Sequence, residues 1–500
     1  MSNPVEVPIA DVLAFEKLNR VFKLQNEAFL KNPYPSLEER KALMNSVQPM
    51  LVKYRDKILA ALDADFCGHS HEQGDLHEIV GMFDRIKFNT ENVAKWMKPE
   101  AKAGNPVTGG SSKAYIKHYP KGVIGNMVSW NFPFDIALGP MLDALAAGNR
   151  VIIKPSDLAP NCGAVLEEMI ADTFNEDQVA VVNGGLDLAK KFPSLPWNHL
   201  VYTGSGTVGK EIMRQAAANL VPVTLELGGK SPAIVGADRI TDETIKDIAG
   251  VKMVKRGQMC VTTDYVLVPE SQLQPFTDKF VRHMKANFEA DNGKAFACGI
   301  INDRHLSRLN RLIDEAKSSG CKVIQIGADL DGKNRDMPFY VVVNPSENLE
   351  LMQQEIFGPI LPIITYKTTQ DVIDYVNKGD SPLGLYIFSD DKKFVDEIVD
   401  NTRSGGVAIN IAALQAGQPS MAFGGIGASG MGVHHGVEAF REFSNPRGFF
   451  VKGYGGTIDW IIPPYTANTR KLIHDVAYAP MAKQLKFALG RLPNILFKKN

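Results

Sequence analysis

Apolar positions in the first hundred residues recur at helical spacing. Leu13, Phe15, Leu18, Val21, Phe22 and Leu24 lie among charged neighbours, and Leu43 to Leu62 repeats the pattern, which predicts amphipathic helices. A Gly/Pro/Ser break follows from Gly104 to Ser112. From Val123 the pattern shortens. Strands are predicted at 151–153, 179–182, 199–202 and 223–227, with helices at 162–174 and 210–220. Strands alternating with helices imply parallel βαβ units and an α/β sheet covered on both faces. A second series of the same kind begins after Gly229, with a helix over 241–256, a strand over 265–268 and a helix over 275–289. Further strands are predicted at 361–365 and 386–388, and the chain turns glycine-dense near Phe423.

Composition narrows the class. With 500 residues, 44% of them apolar and 22% charged, the chain can bury a large core without disulfide or metal staples. A formal charge of −1 leaves no global field to draw nucleic acid or an anionic membrane. The five cysteines, Cys67, Cys162, Cys260, Cys298 and Cys321, form no CxxC pair, which argues against a disulfide framework and a zinc site. No apolar run approaches the ~18 residues of a spanning helix, and Met1 to Arg20 lacks the apolar centre of a signal peptide. A cytoplasmic chain with no integral membrane association is expected. The cluster His69, His71, Glu72, Asp75, His77 and Glu78 lacks HExxH order and reads as a solvated helical face, so no metal is expected. The tail from Arg470 sets seven Lys/Arg against Asp475. Apolar positions interrupted by Pro480 and Pro493 suggest that it docks on the protein's own body or on a partner subunit.

Two features carry chemistry. Gly204-Ser205-Gly206-Thr207-Val208-Gly209 matches GxGxxG between a strand and a helix, where exposed backbone N–H groups favour phosphate. Lys210 follows, but Glu211 stands where a P-loop needs Ser or Thr for magnesium, which rules against nucleotide hydrolysis. Glu226, at the end of the next strand, suits a ribose ligand on the ordinary Rossmann rule. On this motif alone, a plain tight turn fits equally. Cys260, in Gly257-Gln258-Met259-Cys260, falls on a loop between a helix that Gly257 should end and a strand, a placement that presents a thiol to a cleft. Cys162 and Cys298 read as inert core thiols.

Six motifs then occur in order: Ser129-Trp130-Asn131-Phe132-Pro133-Phe134, Lys154-Pro155-Ser156, Tyr202-Thr203-Gly204-Ser205, Glu226-Leu227-Gly228-Gly229-Lys230-Ser231-Pro232, Gly257-Gln258-Met259-Cys260 and Glu355-Ile356-Phe357-Gly358-Pro359. The series resembles the aldehyde dehydrogenase superfamily over roughly residues 20 to 450. It is most similar to the class 3 group that includes bacterial coniferyl aldehyde dehydrogenases. The resemblance implies NAD(P)-dependent oxidation of an aldehyde, aromatic such as coniferaldehyde or medium-chain aliphatic, with NAD or NADP as cofactor. It implies Cys260 as nucleophile, Asn131 as oxyanion donor and Glu226 as the base that activates water, which replaces the ribose reading of Glu226.

For the cofactor, the same resemblance implies Lys154 at the adenosine ribose, Ser205 at the pyrophosphate and Glu355 at the nicotinamide ribose with Phe357 beside it. Trp130, Ser156, Asp157, Gly204, Gly209 and Leu227 are implied along the same cleft. Asp157 replaces a longer carboxylate of many relatives, which leaves NAD against NADP open. Met259 and Val261-Thr262-Thr263 depart from the family pattern and bear on the shape of the acyl pocket. A CoA-acylating relative and a catalytically silent binding homologue are the rival readings. Retention of Glu226 argues against the first, and of Cys260 and Asn131 against the second.

Periodicity shows only two α/β regions, and the resemblance implies the rest of the architecture, two Rossmann-like α/β domains and a small extension with the following bounds. Residues 1–112 and 129–227 bind the dinucleotide, and 228–415 are catalytic. Segments 113–128 and 416–455 form a bridging and oligomerisation element for a homodimer, before a C-terminal tail over 456–500.

Overall fold

The computed structural model describes residues 9–104, 109–291, 296–327, 335–454 and 462–478. The tail beyond Tyr478 and the first eight residues lie outside the described residues, and with them most of the basic tail singled out above. Within the tail, a helix runs over Ala467–Ala477. No helix among the described residues is long and apolar enough to cross a membrane.

The chain divides into two units, one from residues up to Val93 with Pro120–Ser444, the other from Ala94–Tyr119 with the chain after Asn445. In the smaller unit, β1 (Glu100–Lys102) pairs antiparallel with β2 (Lys113–Pro120), which neighbours β16 (Ser444–Val451) in a three-stranded sheet. Phe449 stacks on Tyr115 at 4.9 Å, and the Arg447 guanidinium lies over the Tyr119 ring.

The larger unit holds two sheets. The first takes β3 (Val123–Met127), β4 (Arg150–Lys154), β5 (Val179–Val181), β6 (His199–Gly204) and β7 (Val223–Leu227), all parallel, in the order β7-β6-β3-β4-β5. β3, β4 and β5 are buried along their whole length, which is why they read as near-continuous apolar runs. The helices packed on them come from the first hundred residues as well as from the βαβ crossovers. Leu18 and Val21 join Phe192, Trp197 and Leu200 in one core.

The second sheet takes β8 (Pro232–Val235), β9 (Tyr265–Pro269), β10 (Lys322–Ile326), β11 (Phe339–Val343), β12 (Ile360–Tyr366), β13 (Gly384–Phe388) and β14 (Gly406–Ile409). Their order is β10-β11-β12-β9-β8-β13-β14, with β10 alone antiparallel to its neighbour. The chain finally returns to the first sheet through β15 (Gly430–Met431), antiparallel to β7.

These strands redraw the expected boundaries. Residues 113–128 are not one bridging segment. Lys113–Pro120 lies in the small sheet, whereas Val123–Met127 is an inner strand of the first parallel sheet. The apolar, fully buried character of that strand, with the Asn126 amide bonded to the Ala137 carbonyl at 3.1 Å, fixes it there. Likewise Gly430–Met431 belongs to the first sheet, and only the chain from Ser444 enters the small one. The predicted helix over 241–256 also stops early, at Met253, because Lys255 (φ 45°) and Arg256 (φ 52°) are left-handed.

The acidic and histidine-rich stretch is a solvated face only in part, with His71 and Glu72 exposed. His69 and Glu78 are buried, and Asp75–Val80 forms one π-helical turn. Glu78 Oε2 accepts the N–H groups of Phe134 (3.1 Å) and Asp135 (3.0 Å) at the start of the helix Asp135–Ala147. That helix has no side-chain cap of its own, so Glu78 supplies the acceptor from far along the chain, where the helix dipole favours a negative charge. Asp65 does the same for the helix Pro160–Thr173, accepting from the N–H groups of Asn161 (3.1 Å) and Cys162 (2.8 Å). The other oxygen of Glu78 meets Lys255 Nζ at 2.5 Å, both side chains fully buried. Replacing Lys255 with Met leaves Glu78 buried without its cation. We expect a loss of about 3–5 kcal/mol, read as a lower urea midpoint, and partial recovery in Lys255→Met/Glu78→Gln. An unchanged midpoint in the single variant would refute this role.

Candidate active site

Two consecutive left-handed residues followed by Gly257 (φ 72°) bend the chain sharply after the helix Asp242–Met253 and throw Cys260 onto a turn ahead of β9. Left-handed non-glycine residues cost of order 1–3 kcal/mol each, so something must hold them. Lys255 is held by Glu78 and by its own N–H donating to Gln73 Oε1 at 2.7 Å. Arg256 is held by Asp336 and the Met337 carbonyl. At Gly257 a Cβ would stand 2.5 Å from the Gly358 carbonyl oxygen, so no other residue fits. Gln258, fully buried, donates to the Lys255 and Gly299 carbonyls at 3.0 Å and accepts from the Ile301 N–H at 3.1 Å. The motif around the cysteine is thus a fully bonded scaffold that fixes the sulfur.

Glu226 stands at the end of β7, opposite Thr203 on one side and Gly430 on the other. Gly430 (φ 144°) has the Leu225 carbonyl where a Cβ would go, which lets β15 close over the strand that carries Glu226. The carboxylate is 4% exposed and both its oxygens lack a hydrogen-bond partner. Burial pushes its pKa well above the ordinary carboxylate value, and the Arg85 charge offsets only part of that.

Glu355 is brought in by a clamp. Lys230 Nζ bonds Asp264 at 2.5 Å and the carbonyls of Leu351 (2.8 Å) and Gln354 (3.0 Å), while Asp264 Oδ1 accepts the Ile356 N–H at 2.9 Å. The Glu355 carboxyl then lies against Gly228, where any Cβ would collide with it, and accepts the Gly229 N–H. Burial, then the charge of Asp264, pushes its pKa up to about 8, and its Oε1 is buried without a partner. Both carboxylates face Cys260. Burial first, then Glu355 and Glu226, push the thiol up to about 12, although the N–H groups of Cys260 and Val261 favour the thiolate.

Asn131 is 2% exposed, and its neighbour Phe132 packs with Met259, Cys260, Val261 and Phe423 in one apolar cluster. This brings the Asn131 segment to the nucleophile's turn. The departures at Met259 and Val261 lie in the same cluster, and Tyr386 Oη donates to the Val261 carbonyl at 2.6 Å. Trp130 meets Phe357 edge-on at 5.4 Å and His305 at 5.5 Å.

The residues expected at the cofactor follow the carboxyl ends of β3, β4 and β6, beside the β3/β6 neighbour pair where the strand order reverses. Such a switch point in an open α/β sheet is where ligands bind. Lys154 is 3% exposed and bonds only the Pro155 carbonyl, at 2.9 Å, and burial lowers its pKa. Ser156 Oγ accepts the Leu158 N–H at 3.2 Å, and Asp157 is exposed. Ser205 caps the helix Gly206–Ala217, its Oγ accepting from Val208 at 3.4 Å. Gly204 leaves room for the Tyr202 hydroxyl, and Gly209 lets the helix settle on Leu227. The side chain of Leu227 is buried in the core and its N–H donates to the Ser429 carbonyl at 3.0 Å, so its side chain is not presented to a ligand.

Sequence reasoning missed the supports behind these groups. Lys255, Lys230 and Asp264 sat in or near the motifs and Glu78 in the histidine-rich stretch, but the contacts that Lys255 and Glu78 make join segments remote in sequence. It also missed His434, whose Nε2 lies 3.8 Å from Glu226 Oε1. Among the described residues no group of three or more His, Cys, Asp or Glu side chains could hold a metal.

The aldehyde dehydrogenase family model matches residues 11–448. A probable coniferyl aldehyde dehydrogenase of Pseudomonas aeruginosa is 38% identical over 458 residues, covering 92% of this chain and 96% of that protein. The substrate-bound structure of Staphylococcus aureus AldH superposes with a TM-score of 0.85 at 30% identity, over 91% of this chain and 98% of that one. An aldehyde dehydrogenase of Mycobacterium tuberculosis complexed with NAD+ gives 0.78 at 26% identity, over 88% and 91%.

The raised thiol has a direct consequence in the free protein. Only the thiolate is alkylated, so iodoacetamide labelling of Cys260 should quicken about tenfold per pH unit through the neutral and mildly alkaline range. Peptide mass spectrometry separates Cys260 from Cys67 and Cys321, which are half-buried as it is. A rate that levels off near neutral pH would contradict the desolvated, doubly repelled thiol.

Proposed function

The chain belongs to the aldehyde dehydrogenase family, and on that premise we propose that it oxidises an aldehyde to the carboxylic acid with NAD or NADP, through a thioester on Cys260. The observation that carries the reading is the meeting of a rigidly held thiol with Glu226, a buried carboxylate that no protein group satisfies.

The residues at the first sheet fit a dinucleotide. The helix Gly206–Ala217 offers N–H groups at its start, and a Cβ on Gly206 would meet nothing closer than the Ala428 carbonyl oxygen at 4.0 Å. The buried Lys154 and the unpartnered Glu355 Oε1 supply polar ends that hydroxyl groups would satisfy. Lys154, Ser205 and Glu355 would hold the cofactor, with Trp130 and Phe357 as its apolar wall. A bound nicotinamide would supply a two-electron oxidant that takes the aldehyde hydrogen as hydride.

The chain's own residues do the rest. Cys260 Sγ gives up its proton and bonds the aldehyde carbon, and the carbonyl becomes an oxyanion. The Asn131 amide and the Cys260 N–H receive that oxyanion, one such donor being worth about 2.7–4 kcal/mol. Loss of hydride restores the C=O bond as a thioester. Glu226 then takes a proton from water, the water oxygen bonds the acyl carbon, and the C–S bond breaks to release acid and thiolate. Burial raises the basicity of this carboxylate, the direction a proton acceptor needs. In sum, aldehyde, water and oxidised cofactor give acid, reduced cofactor and a proton. The relative named for coniferyl aldehyde favours an aromatic enal as substrate over a medium-chain aliphatic aldehyde.

Cofactor reduction with a panel of aromatic and aliphatic aldehydes, with and without CoA, tests the activity. Cys260→Ser should abolish turnover while cofactor still binds, because a hydroxyl does not supply the attacking anion. Glu226→Gln should keep one rapid turnover of hydride and then slow about 10²–10⁴-fold as acyl-enzyme accumulates. Substantial turnover by the serine variant, or weakened cofactor binding with no burst in Glu226→Gln, would overturn the assignment.

A further inference from the structure

His434 holds a fixed place beside Glu226. Its main chain pairs with Phe423 in both directions at 2.8 Å, and its ring packs edge-on against Phe423 at 5.1 Å and His435 at 4.4 Å. Arg85 Nη2 lies 3.0 Å from His434 Nδ1. A guanidinium only donates, so Nδ1 carries the lone pair and the neutral ring bears its proton on Nε2. Arg85 is itself fixed by Asp143 at 2.5 Å, and Asp143 also accepts from Asn89 (2.9 Å) and the His435 N–H (3.2 Å). Every member of this chain is buried or nearly so. It ends with Nε2 at 3.8 Å from Oε1 of a carboxylate that has no hydrogen-bond partner among the described residues.

We propose that His434 is a positioning residue for Glu226: its Nε2–H closes on the charged carboxylate and holds it in the orientation from which it accepts a proton from water. The gap of 3.8 Å exceeds a hydrogen bond, and a movement of about 0.9 Å brings it to the ordinary length of about 2.9 Å. Burial and the Arg85 charge keep the ring neutral, so it serves as a donor and not as a competing base. The other groups facing this corner are Arg85, which favours the charged Glu226, and Cys260, which is an uncharged thioester when Glu226 works. A donor that favours the carboxylate lowers its pKa, so losing that donor moves the acidic limb of deacylation to higher pH.

The inference rests on Glu226 being the water-activating base. The test uses His434→Phe, which removes the donor, and His434→Gln, which retains one. The hydride burst and acyl-enzyme decay are followed by rapid mixing and intact-protein mass spectrometry across pH. In His434→Phe the burst rate should hold while decay at neutral pH falls about tenfold and its acidic limb rises by about one pH unit. His434→Gln should restore most of the rate. If His434→Phe fails to bind cofactor, His434→Met carries the same comparison. An unmoved acidic limb in the donor-free variant, or a Gln variant no better than Phe, overturns the role of His434 alone. A Glu226→Gln enzyme that deacylates at the parent rate overturns the base assignment beneath it.

Discussion

The Lys255 ammonium and the Glu78 carboxylate meet at 2.5 Å with neither side chain reaching solvent. Alone, such a pair gains little, because desolvating two charges cancels most of their attraction. Here each partner does a second job. Glu78 also caps the helix that follows the Asn131 segment, and Lys255 sits in the left-handed bend that presents Cys260. The Lys255 ammonium further lies 4.3 Å from the centroid of the Phe132 ring, beside Asn131. One contact therefore ties the Cys260 turn, the Asn131 segment and the N-terminal helical layer together. The two α/β sheets are linked at the candidate site by a buried charge pair as well as by the chain.

A second clamp, Lys230 with Asp264, works on the opposite wall and sets Glu355 against the Gly228-Gly229 link. Between the clamps lie three titratable groups, Cys260, Glu226 and Glu355, each shifted in the direction that disfavours its charge. That is the state expected of a pocket lined by acceptors whose donors arrive with the ligands. Scaffold and pocket thus divide the charged residues. Those in the scaffold are paired, whereas both Glu226 oxygens and Glu355 Oε1 have no hydrogen-bond partner among the described residues.

Much of this was legible in the chain. The alternating runs after Val123 pointed to both sheets, and six ordered motifs pointed to the family and singled out Cys260, Glu226 and Asn131 as candidates. What local patterns could not reveal was partnership across distance. Nothing near Glu78 announces that it caps a helix starting at Asp135 or pairs with Lys255, and in its polar stretch it passed for a solvated residue. Lys255 and Arg256 have ordinary helical propensity, so the helix was drawn through them, although tertiary anchoring holds both left-handed. Residues 113–128 were joined on the family resemblance alone, while strand order in the sheets separates them. His434 was overlooked beside the glycine-dense motif because its meaning depends on Arg85, three hundred and forty-nine positions away.

The bend at Lys255, Arg256 and Gly257 is anchored from behind, by groups outside the apolar cluster around the sulfur. Met259, Val261 and Phe423 therefore surround the sulfur without anchoring the bend, whereas Phe132 also packs against the Lys255 ammonium. Mutational drift at the first three positions can remodel the surroundings of the sulfur while leaving it where it is. Divergence in substrate range is thereby uncoupled from preservation of the reaction, and a lineage carrying this bend can specialise by exchanging side chains and leave its backbone intact.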